Sequence, residues 1–467
     1  MRAYFVGICG IGMSGVAGLA KGLGFEVFGS EIGQLYPPAS DLLKDLGIEI
    51  LAPKVENLRN LKPDILVVGN TISSDHPEVV EARKLGIPLL SFPEFIEHYT
   101  LSEKKSLVVA GTHGKTTTTA LLAYLLEVLG QSPSFLVGGI VNNFQKNYHL
   151  GHGNWLVIEG DEYPSAFFNR RAKFFHYKPY GLILTSLEFD HGDVYKDLDA
   201  LKETFRELLS KMDKDGFLVY HADDPNIVNI ISDLPNSVKR ISYGRDKGDY
   251  RLLEHKSTFS KGLFLSHCHC VDRNGKNLSF CHSLLGIHNS LNILSVLALL
   301  ENLGFRREDI LQKLRSFKGV KRRQEIIFSD ERNCLIDDFA HHPTAVEVTL
   351  RELKETYRPS KTILFFEPRT NTSKRKIFQE AYIKALSLAD VIALKEPPNL
   401  EKIPESERID LSHIVKTLKN LGKEALILDG NHSLSFVKGP MPRNLIVFMS
   451  SAYMEKEIKE VSKLIKL

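Results

Sequence analysis

The segment that most constrains the fold has the sequence Gly-Thr-His-Gly-Lys-Thr-Thr at positions 111–117. The apolar stretch Ser106–Ala110 before it predicts a short buried strand, and Thr117–Val128 after it has the leucine spacing of a helix. Glycines at such a junction let backbone N–H groups surround phosphates, while Lys115 neutralises their charge and the Thr116 hydroxyl completes a magnesium shell. The segment therefore predicts an α/β nucleotide-binding domain that takes ATP and Mg²⁺.

The alternative is a glycine-rich turn that only caps a helix, but the Lys-Thr pair argues against it. Val109 stands where an ordinary Walker loop has its first glycine, so the chain has the narrower form Gly-Thr-x-Gly-Lys-Thr. We expect Lys115 to point at phosphate and to support no part of the core.

Composition limits the remaining possibilities. A chain of 467 residues with 43% hydrophobic and 25% charged residues predicts two to four ordinary globular domains. A net charge of +3 gives no polyanion-binding footprint, so we expect no nucleic acid partner. Five scattered cysteines favour a reducing cytoplasm. The start of the chain predicts a strand rather than a signal peptide, and no apolar run is long enough to predict a membrane span.

The first 105 residues predict a Rossmann-like domain. Strand Ala3–Val6 leads into a glycine-rich loop at positions 7–15 and a helix that ends near Leu23, and strand Glu26–Gly29 ends beside Ser30 and Glu31. From the residues alone this loop fits NAD, FAD or another nucleotide diphosphate, because it recognises little beyond a pyrophosphate. Two more β/α units follow, and Ser91–Lys105 is expected to leave the domain.

Residues 106–316 predict the ATP-binding domain. Strand Trp155–Ile158 leads to Glu159, Asp161 and Glu162, and a later strand leads to Glu188, Asp190 and His191. Parallel strands end at one sheet edge, so these groups are expected to converge on the magnesium; helix caps and solvated turns are the alternative. Further on, Asn289 and Asn292 share a helix face that fits an adenine edge.

Residues 317–467 predict a third domain. It begins with the basic stretch 318–323, which is either a solvated linker or a phosphate-binding segment that uses arginine. Asp337–Pro343 follows one predicted strand, and Glu367–Asn371 follows another. A separate group, His267–Cys270 with His282, fits no zinc spacing and alternates like a strand, which makes a metal site the weaker interpretation.

Together these motifs resemble the Mur ligase family, the ATP-dependent amide-forming enzymes of bacterial peptidoglycan assembly. The resemblance covers the chain in order. It implies a three-domain α/β architecture: a Rossmann-like N-terminal domain, a P-loop central ATPase domain and a Rossmann-like C-terminal domain that closes over ATP and the acceptor. It also implies that the first loop receives UDP-N-acetylmuramate, not NAD.

The resemblance assigns roles to individual residues. It makes Lys115, Glu159, His191 and Arg323 catalytic, with Thr116, Glu159 and His191 as metal ligands. ATP is assigned to Gly111, Thr112, His113, Gly114, Lys115, Thr116, Thr117, Asn289, Asn292, Arg323 and, at the ribose, Asp338. UDP-N-acetylmuramate is assigned to Gly10, Gly12, Met13, Ser14, Glu31 and Asn70. The peptide candidates are Glu162, His341, His342 and Arg369, with no choice made between the two histidines.

Two further residues carry open alternatives. Lys202 is either a carbamylated lysine that supports the second metal or part of an exposed helix turn. Arg369 either grips a peptide carboxylate or pairs with a local acid such as Glu367.

Two branches of the family share the first loop and the Asp-Asp-(aromatic)-x-His-His-Pro-Thr stretch. One branch adds L-alanine, and the other adds the intact tripeptide L-alanyl-γ-D-glutamyl-meso-diaminopimelate in peptidoglycan recycling. The segments 69–73, 159–171, 187–191, 339–342 and 367–372 are more similar to the tripeptide branch. Positions 449–453 depart from the expected pattern, because Met-Ser-Ser-Ala-Tyr replaces a glycine-rich turn.

Two other classes compete with a ligase. An NAD-dependent oxidoreductase would explain the first loop and leave the ATP loop without a role. A P-loop ATPase without ligase activity would leave the third domain without one.

Overall fold

The computed structural model describes residues 1–32, 37–190, 192, 194–232, 234, 237–428, 434–437 and 443–465. Three β-sheets follow one another along the chain, each packed against helices. Within the described residues, every helix is too short or too polar to cross a lipid bilayer.

The first sheet has five parallel strands in the order β3-β2-β1-β4-β5. Its strands are β1 Arg2–Val6, β2 Glu26–Ser30, β3 Ile50–Leu51, β4 Ile65–Val68 and β5 Leu89–Ser91. Its helices are α1 Ile11–Gly22, α2 Ala39–Asp45, α3 Val55–Leu61, α4 Pro77–Lys84 and α5 Phe92–Tyr99. The predicted β/α alternation is confirmed. The segment Ser91–Lys105, which is expected to lead into the next domain, contains α5, and Ser91 and Glu94 form the capping box that starts this helix.

The second sheet has ten strands in the order β17-β16-β15-β14-β13-β12-β6-β9-β7-β8. The strands of this region are β6 Lys105–Ala110, β7 Ser134–Val141, β8 Lys146–His149, β9 Trp155–Gly160, β10 Pro164–Ala166, β11 Asn169–Ala172, β12 Pro179–Leu184, β13 Phe217–His221, β14 Lys239–Gly244, β15 Tyr250–Ser260, β16 Leu263–Val271 and β17 Asn277–His282, of which β10 and β11 form a separate hairpin. The helices are α6 Lys115–Val128, α7 Leu198–Ser210, α8 Pro225–Ile230, α9 Ile287–Asn302 and α10 Arg307–Leu314.

Strand β6 lies in the middle of this sheet and runs parallel to both β9 and β12. Its residues from Ser106 to Ala110 are all buried, as expected for a parallel strand covered on both faces. The prediction that three strand ends meet at the edge carrying the glycine loop is therefore confirmed.

The third sheet has six strands in the order β18-β19-β23-β20-β21-β22. Its strands are β18 Glu325–Ser329, β19 Asn333–Asp338, β20 Lys361–Glu367, β21 Val391–Lys395, β22 Glu424–Leu428 and β23 Asn444–Ser450. Its helices are α11 Pro343–Tyr357, α12 Gln379–Leu386, α13 Leu411–Asn420 and α14 Glu455–Ile465. Strand β19 continues through Asp337 and Asp338, which the sequence had suggested to follow it. The domain divisions at 105/106 and 316/317 stay predictions.

Candidate active site

The glycine loop between β6 and α6 is held against the neighbouring strand end. A Cβ atom on Gly111 would lie 2.4 Å from Thr185 Oγ1, and the φ angle of Gly111 is +132°, so glycine is needed here on both grounds. The backbone N–H groups of Thr112 and His113 donate to the carbonyl and hydroxyl oxygens of Ser186. Gly114, with φ +81°, precedes the first residue of α6. The loop therefore presents a fixed backbone at a helix N-terminus, the geometry that favours anions.

Lys115 does not extend freely into the loop. Its Nζ lies 3.0 Å from both carboxylate oxygens of Glu162 and donates to the Gly111 carbonyl oxygen at 2.6 Å. The Glu162 side chain is 1% exposed. Burial alone would lower the pKa of Lys115, but the carboxylates of Glu162, Asp161 and Glu159 raise it. The expectation that Lys115 supports no part of the core is therefore wrong, because its ammonium compensates a buried carboxylate.

The two described members of the predicted metal-ligand set are adjacent. The Thr116 hydroxyl donates to Glu159 Oε1 at 3.0 Å, and Glu159 Oε2 accepts from the Gly138 N–H. Arg323 Nη2 donates to Thr116 Oγ1 at 3.0 Å. Hydroxyl and carboxylate oxygens are the ligands that Mg²⁺ prefers. The third predicted ligand, His191, lies outside the described residues.

The residues assigned to the adenosine form a connected group beside the loop. Asn292 Nδ2 donates to Asn289 Oδ1, and Asn289 Nδ2 donates to Leu285 O and to Gln324 Oε1. A Cβ atom on Gly114 would lie 2.7 Å from Asn292 Oδ1, so this helix packs directly on the loop. Asp338 is buried and accepts the Gln324 N–H at 2.8 Å. Burial raises the pKa of Asp338.

A histidine–carboxylate group joins the loop to the third domain. His113 Nε2 lies 2.7 Å from Glu188 Oε2, and Glu188 Oε1 accepts the Thr344 hydroxyl at 2.8 Å. Each of three residues, His113, Glu188 and His342, offers one atom that can bind a metal, and these three atoms lie within 4.8 Å of one another. Two histidine nitrogens and a carboxylate oxygen at this spacing suit a metal ion. Burial alone would raise the pKa of Glu188. The contact with His113 and other hydrogen bonds and charges together outweigh burial, so this pKa is lowered. Glu188 was predicted only as one acid at a strand end, and its contact with Thr344 has no signal in the sequence.

The two adjacent histidines have different surroundings. His342 is buried, and its ring centroid lies 5.2 Å from that of His113. His341 Nδ1 lies 3.1 Å from the Phe339 carbonyl oxygen, and burial lowers the pKa of His341 to about 4. His341 is therefore neutral at pH 7.

The first glycine loop lies at the start of α1. Gly10 directly precedes the helix, Gly12 is in its first turn, and Ser14 Oγ donates to the Ile11 carbonyl oxygen. Glu31 accepts the backbone N–H groups of Cys9 and Ile32, so its carboxylate supports this loop. Met13 is buried, whereas Asn70 is exposed beyond the end of β4.

The remaining candidates are less central. Arg369 Nη1 lies 3.2 Å from Glu367 Oε1, which is the local pairing that the sequence left open. Lys202 Nζ lies 3.7 Å from an Asp199 oxygen, and its side chain is only 15% exposed.

The cysteine–histidine group lies on strands. Cys268 and Cys270 are buried on one face of β16, and His267 is exposed on the other. Across the part of the chain that the structure describes, this group does not bring three metal-ligating atoms together.

Comparison with family models covers all three domains. The model described as "Mur ligase family, catalytic domain" matches residues 2–103, "Mur ligase middle domain" matches 109–300 and "Mur ligase, glutamate ligase domain" matches 322–438.

Individual relatives match most of the chain. A UDP-N-acetylmuramate–L-alanyl-γ-D-glutamyl-meso-2,6-diaminoheptandioate ligase from Escherichia coli is 34% identical over 86% of each chain. A UDP-N-acetylmuramate–L-alanine ligase from Clostridium botulinum is 33% identical over 84% of this chain and 82% of its own.

Solved structures give the same two kinds of relative. A UDP-N-acetylmuramate-alanine ligase from Thermotoga maritima matches with a TM-score of 0.81 and 28% identity, over 100% of this chain and 98% of its own. A murein peptide ligase from Psychrobacter arcticus matches with a TM-score of 0.74 and 28% identity, over 100% and 99%.

Proposed function

The chain belongs to the Mur ligase family of ATP-dependent, ADP-forming ligases, and we propose that it joins UDP-N-acetylmuramate to the tripeptide L-alanyl-γ-D-glutamyl-meso-diaminopimelate. The observation that carries this proposal is the 34% identity to the Escherichia coli ligase, whose name states that acceptor, over 86% of the chain. The segments 159–171 and 367–372, which resemble the tripeptide branch, support it. The nearly equal match to L-alanine ligases makes L-alanine the alternative acceptor.

The chemistry begins with a poor electrophile. A carboxylate resists amine attack, so the γ-phosphoryl group of ATP is first transferred to the lactyl carboxylate of the muramate, which releases ADP and forms an acyl phosphate. The amine of the acceptor then adds to the acyl carbon, and the tetrahedral intermediate expels phosphate as the amide forms. Positioning and electrostatic stabilisation carry most of the catalysis in such phosphoryl transfers.

We assign the charge-stabilising roles to the residues around the glycine loop. Lys115 and Arg323 both contact groups beside the loop: Lys115 bonds the Glu162 carboxylate, and Arg323 bonds the Thr116 hydroxyl. Thr116 and Glu159 supply the oxygen ligands for Mg²⁺, which neutralises phosphate charge when bound. In this assignment the Lys115 ammonium stays bonded to Glu162 and to the Gly111 carbonyl oxygen while it neutralises phosphate charge.

We assign the acceptor to Arg369, which follows the end of β20, and to the segment 159–171 that resembles the tripeptide branch. Arg369 is 44% exposed and contacts the buried Glu367 through its Nη1 atom, so in this assignment the guanidinium binds a peptide carboxylate while it stays beside Glu367. A guanidinium holds a carboxylate through two parallel hydrogen bonds, which a lysine ammonium does not reproduce.

Phosphate release from purified enzyme with ATP, Mg²⁺ and UDP-N-acetylmuramate tests the proposal. We expect release with the tripeptide and scarcely any with L-alanine. Arg369→Lys should raise the KM for the peptide while Arg351→Lys, on the exposed face of α11, should not. Preference for L-alanine would assign the chain to the alternative acceptor, and release that needs no acceptor would indicate an ATPase without ligase activity.

A further inference from the structure

Residues 318–324 link the second domain to the third. The domain to which this linker is hydrogen-bonded changes between Lys321 and Arg322. Up to Lys321 it is bonded to the central domain. The Lys318 N–H donates to Asn143 Oδ1 at 2.8 Å, the Gly319 carbonyl accepts from the Asn142 N–H, and the Lys321 N–H donates to the Ile140 carbonyl at 2.9 Å. The Val320 side chain is 2% exposed against the same surface.

From Arg322 onward the linker is bonded to the third domain. The Arg322 N–H donates to Glu325 Oε2 at 2.8 Å, and its carbonyl oxygen accepts the Phe339 N–H at 2.8 Å. The next-but-one residue, Gln324, donates its N–H to Asp338. Both Arg322 and Gln324 have positive φ angles, 59° and 54°, which only a well-held backbone maintains in residues with a side chain.

The Arg322 side chain adds four contacts to the third domain. Its Nη2 donates to the carbonyl oxygens of Ser450 and Ala452 at 2.6 and 2.7 Å, and its Nη1 lies 3.4 Å from that of Ser451. Its Nε donates to Asp337 Oδ2 at 3.1 Å. The guanidinium therefore satisfies the turn after β23, which is the turn whose sequence departs from the expected glycine-rich form.

The adjacent side chain, Arg323, points back across the boundary. Its Nη2 reaches Thr116 Oγ1 at 3.0 Å, and its guanidinium lies 4.5 Å from the ring centroid of Phe339. The residues on either side of Arg323, Arg322 and Gln324, thus hold it to the third domain, while its guanidinium lies beside the glycine loop of the second domain.

We propose that Arg322 is a positioning residue for Arg323. By tying the linker to the turn at 450–452 and to Asp337, it sets where the Arg323 guanidinium stands relative to the phosphates. This rests on the proposed function, in which Arg323 stabilises the transferring phosphoryl group. Lysine cannot replace Arg322, because one ammonium does not span three carbonyls and a carboxylate.

A double-mutant cycle on the full-length enzyme tests this role. Arg322→Lys should lower kcat by about a hundredfold, the scale of a displaced catalytic group, with the KM for UDP-N-acetylmuramate unchanged. In an Arg323→Ala background the same change should alter kcat by less than about twofold, because its route of action is already gone. Lys321 is bonded to the central domain, so Lys321→Ala should leave kcat and the KM values for ATP and UDP-N-acetylmuramate unchanged.

Three results separate the outcomes. Equal losses from Arg322→Lys with and without Arg323 would show that Arg322 acts independently, and the proposal would be wrong. If Arg322→Lys does not fold, Asp337→Asn loosens the same guanidinium and must show the same dependence on Arg323. A wild-type enzyme that releases no phosphate with either acceptor would instead overturn the proposed function.

Discussion

At the scale of single residues, Lys115 links the nucleotide loop to the stability of the domain. Its ammonium is bonded to Glu162, whose side chain is 1% exposed. A buried carboxylate left without its cation is strongly destabilising. The same lysine therefore has two roles, and a variant at this position must be examined with its partner.

We predict that Lys115→Ala abolishes phosphate release and also lowers the melting temperature, because the buried Glu162 carboxylate loses the ammonium that lies 3.0 Å away. The loss of stability should be about 1–3 kcal/mol, the cost of removing one hydrogen-bond partner from a buried group. Adding Glu162→Gln should restore most of the melting temperature and none of the turnover. Thermal unfolding and phosphate release on the two variants check this, and a single variant as stable as wild type would contradict it.

At the scale of secondary-structure elements, the glycines of α1 separate into two groups. A Cβ atom on Gly18 would lie 2.2 Å from the Tyr148 ring, and one on Gly15 would lie 2.5 Å from Leu136, so these glycines let α1 pack closely on β7 and β8. A Cβ atom on Gly12 would only touch the Phe92 ring at 3.7 Å, an ordinary contact. Gly15 and Gly18 thus serve the packing of α1, whereas Gly12 is available to a ligand.

We predict that Gly18→Ala destabilises the protein by about 1–3 kcal/mol, because the buried Tyr148 ring must move. Gly12→Ala is the matched control on the same helix. It should keep or slightly raise the melting temperature, since alanine favours a helix over glycine by about 1 kcal/mol. It should also raise the KM for UDP-N-acetylmuramate more than that for ATP. Comparable destabilisation of both variants would contradict this division.

At the scale of the whole molecule, buried histidines make the fold sensitive to acid. Burial lowers the pKa of His282 to about 3, and the pKa values of His288 and His341 to about 4. The unfolded chain binds protons near the ordinary histidine pKa of about 6.5, whereas the folded chain does not. The contribution of these neutral histidines to stability is therefore complete above that pH. It is lost as the pH falls toward the pKa values that the histidines have in the folded protein.

We predict that the melting temperature falls steadily from pH 7 to pH 5 and falls less in His282→Gln. His282 is 3% exposed, and its Nε2 lies 2.9 Å from Ser290 Oγ. His413→Gln, an exposed position on α13, is the control and should retain the wild-type pH dependence. Equal slopes for all three proteins would exclude His282 as a source of acid sensitivity.

Local sequence determined the order of the elements and the position of the glycine loop. Alternation of apolar stretches with helical spacing predicted β6, α6, β9 and β12, because these depend on which residues lie next to one another in the chain. It also predicted that Thr116 and Glu159 meet, since parallel strands bring their ends to one edge. The family followed from motifs whose residue types are fixed by phosphate chemistry.

Only the tertiary structure decided which charged side chains face each other. Lys115 pairs with Glu162 across 47 positions, and Arg322 reaches the turn after β23 across 128–130 positions. Such pairings depend on how sheets and helices pack, and many carboxylates and carbonyls along the chain are equally suitable partners on chemical grounds. Sequence therefore determined the elements and the phosphate loop of this ligase, whereas packing determined how its three domains hold the charges around that loop.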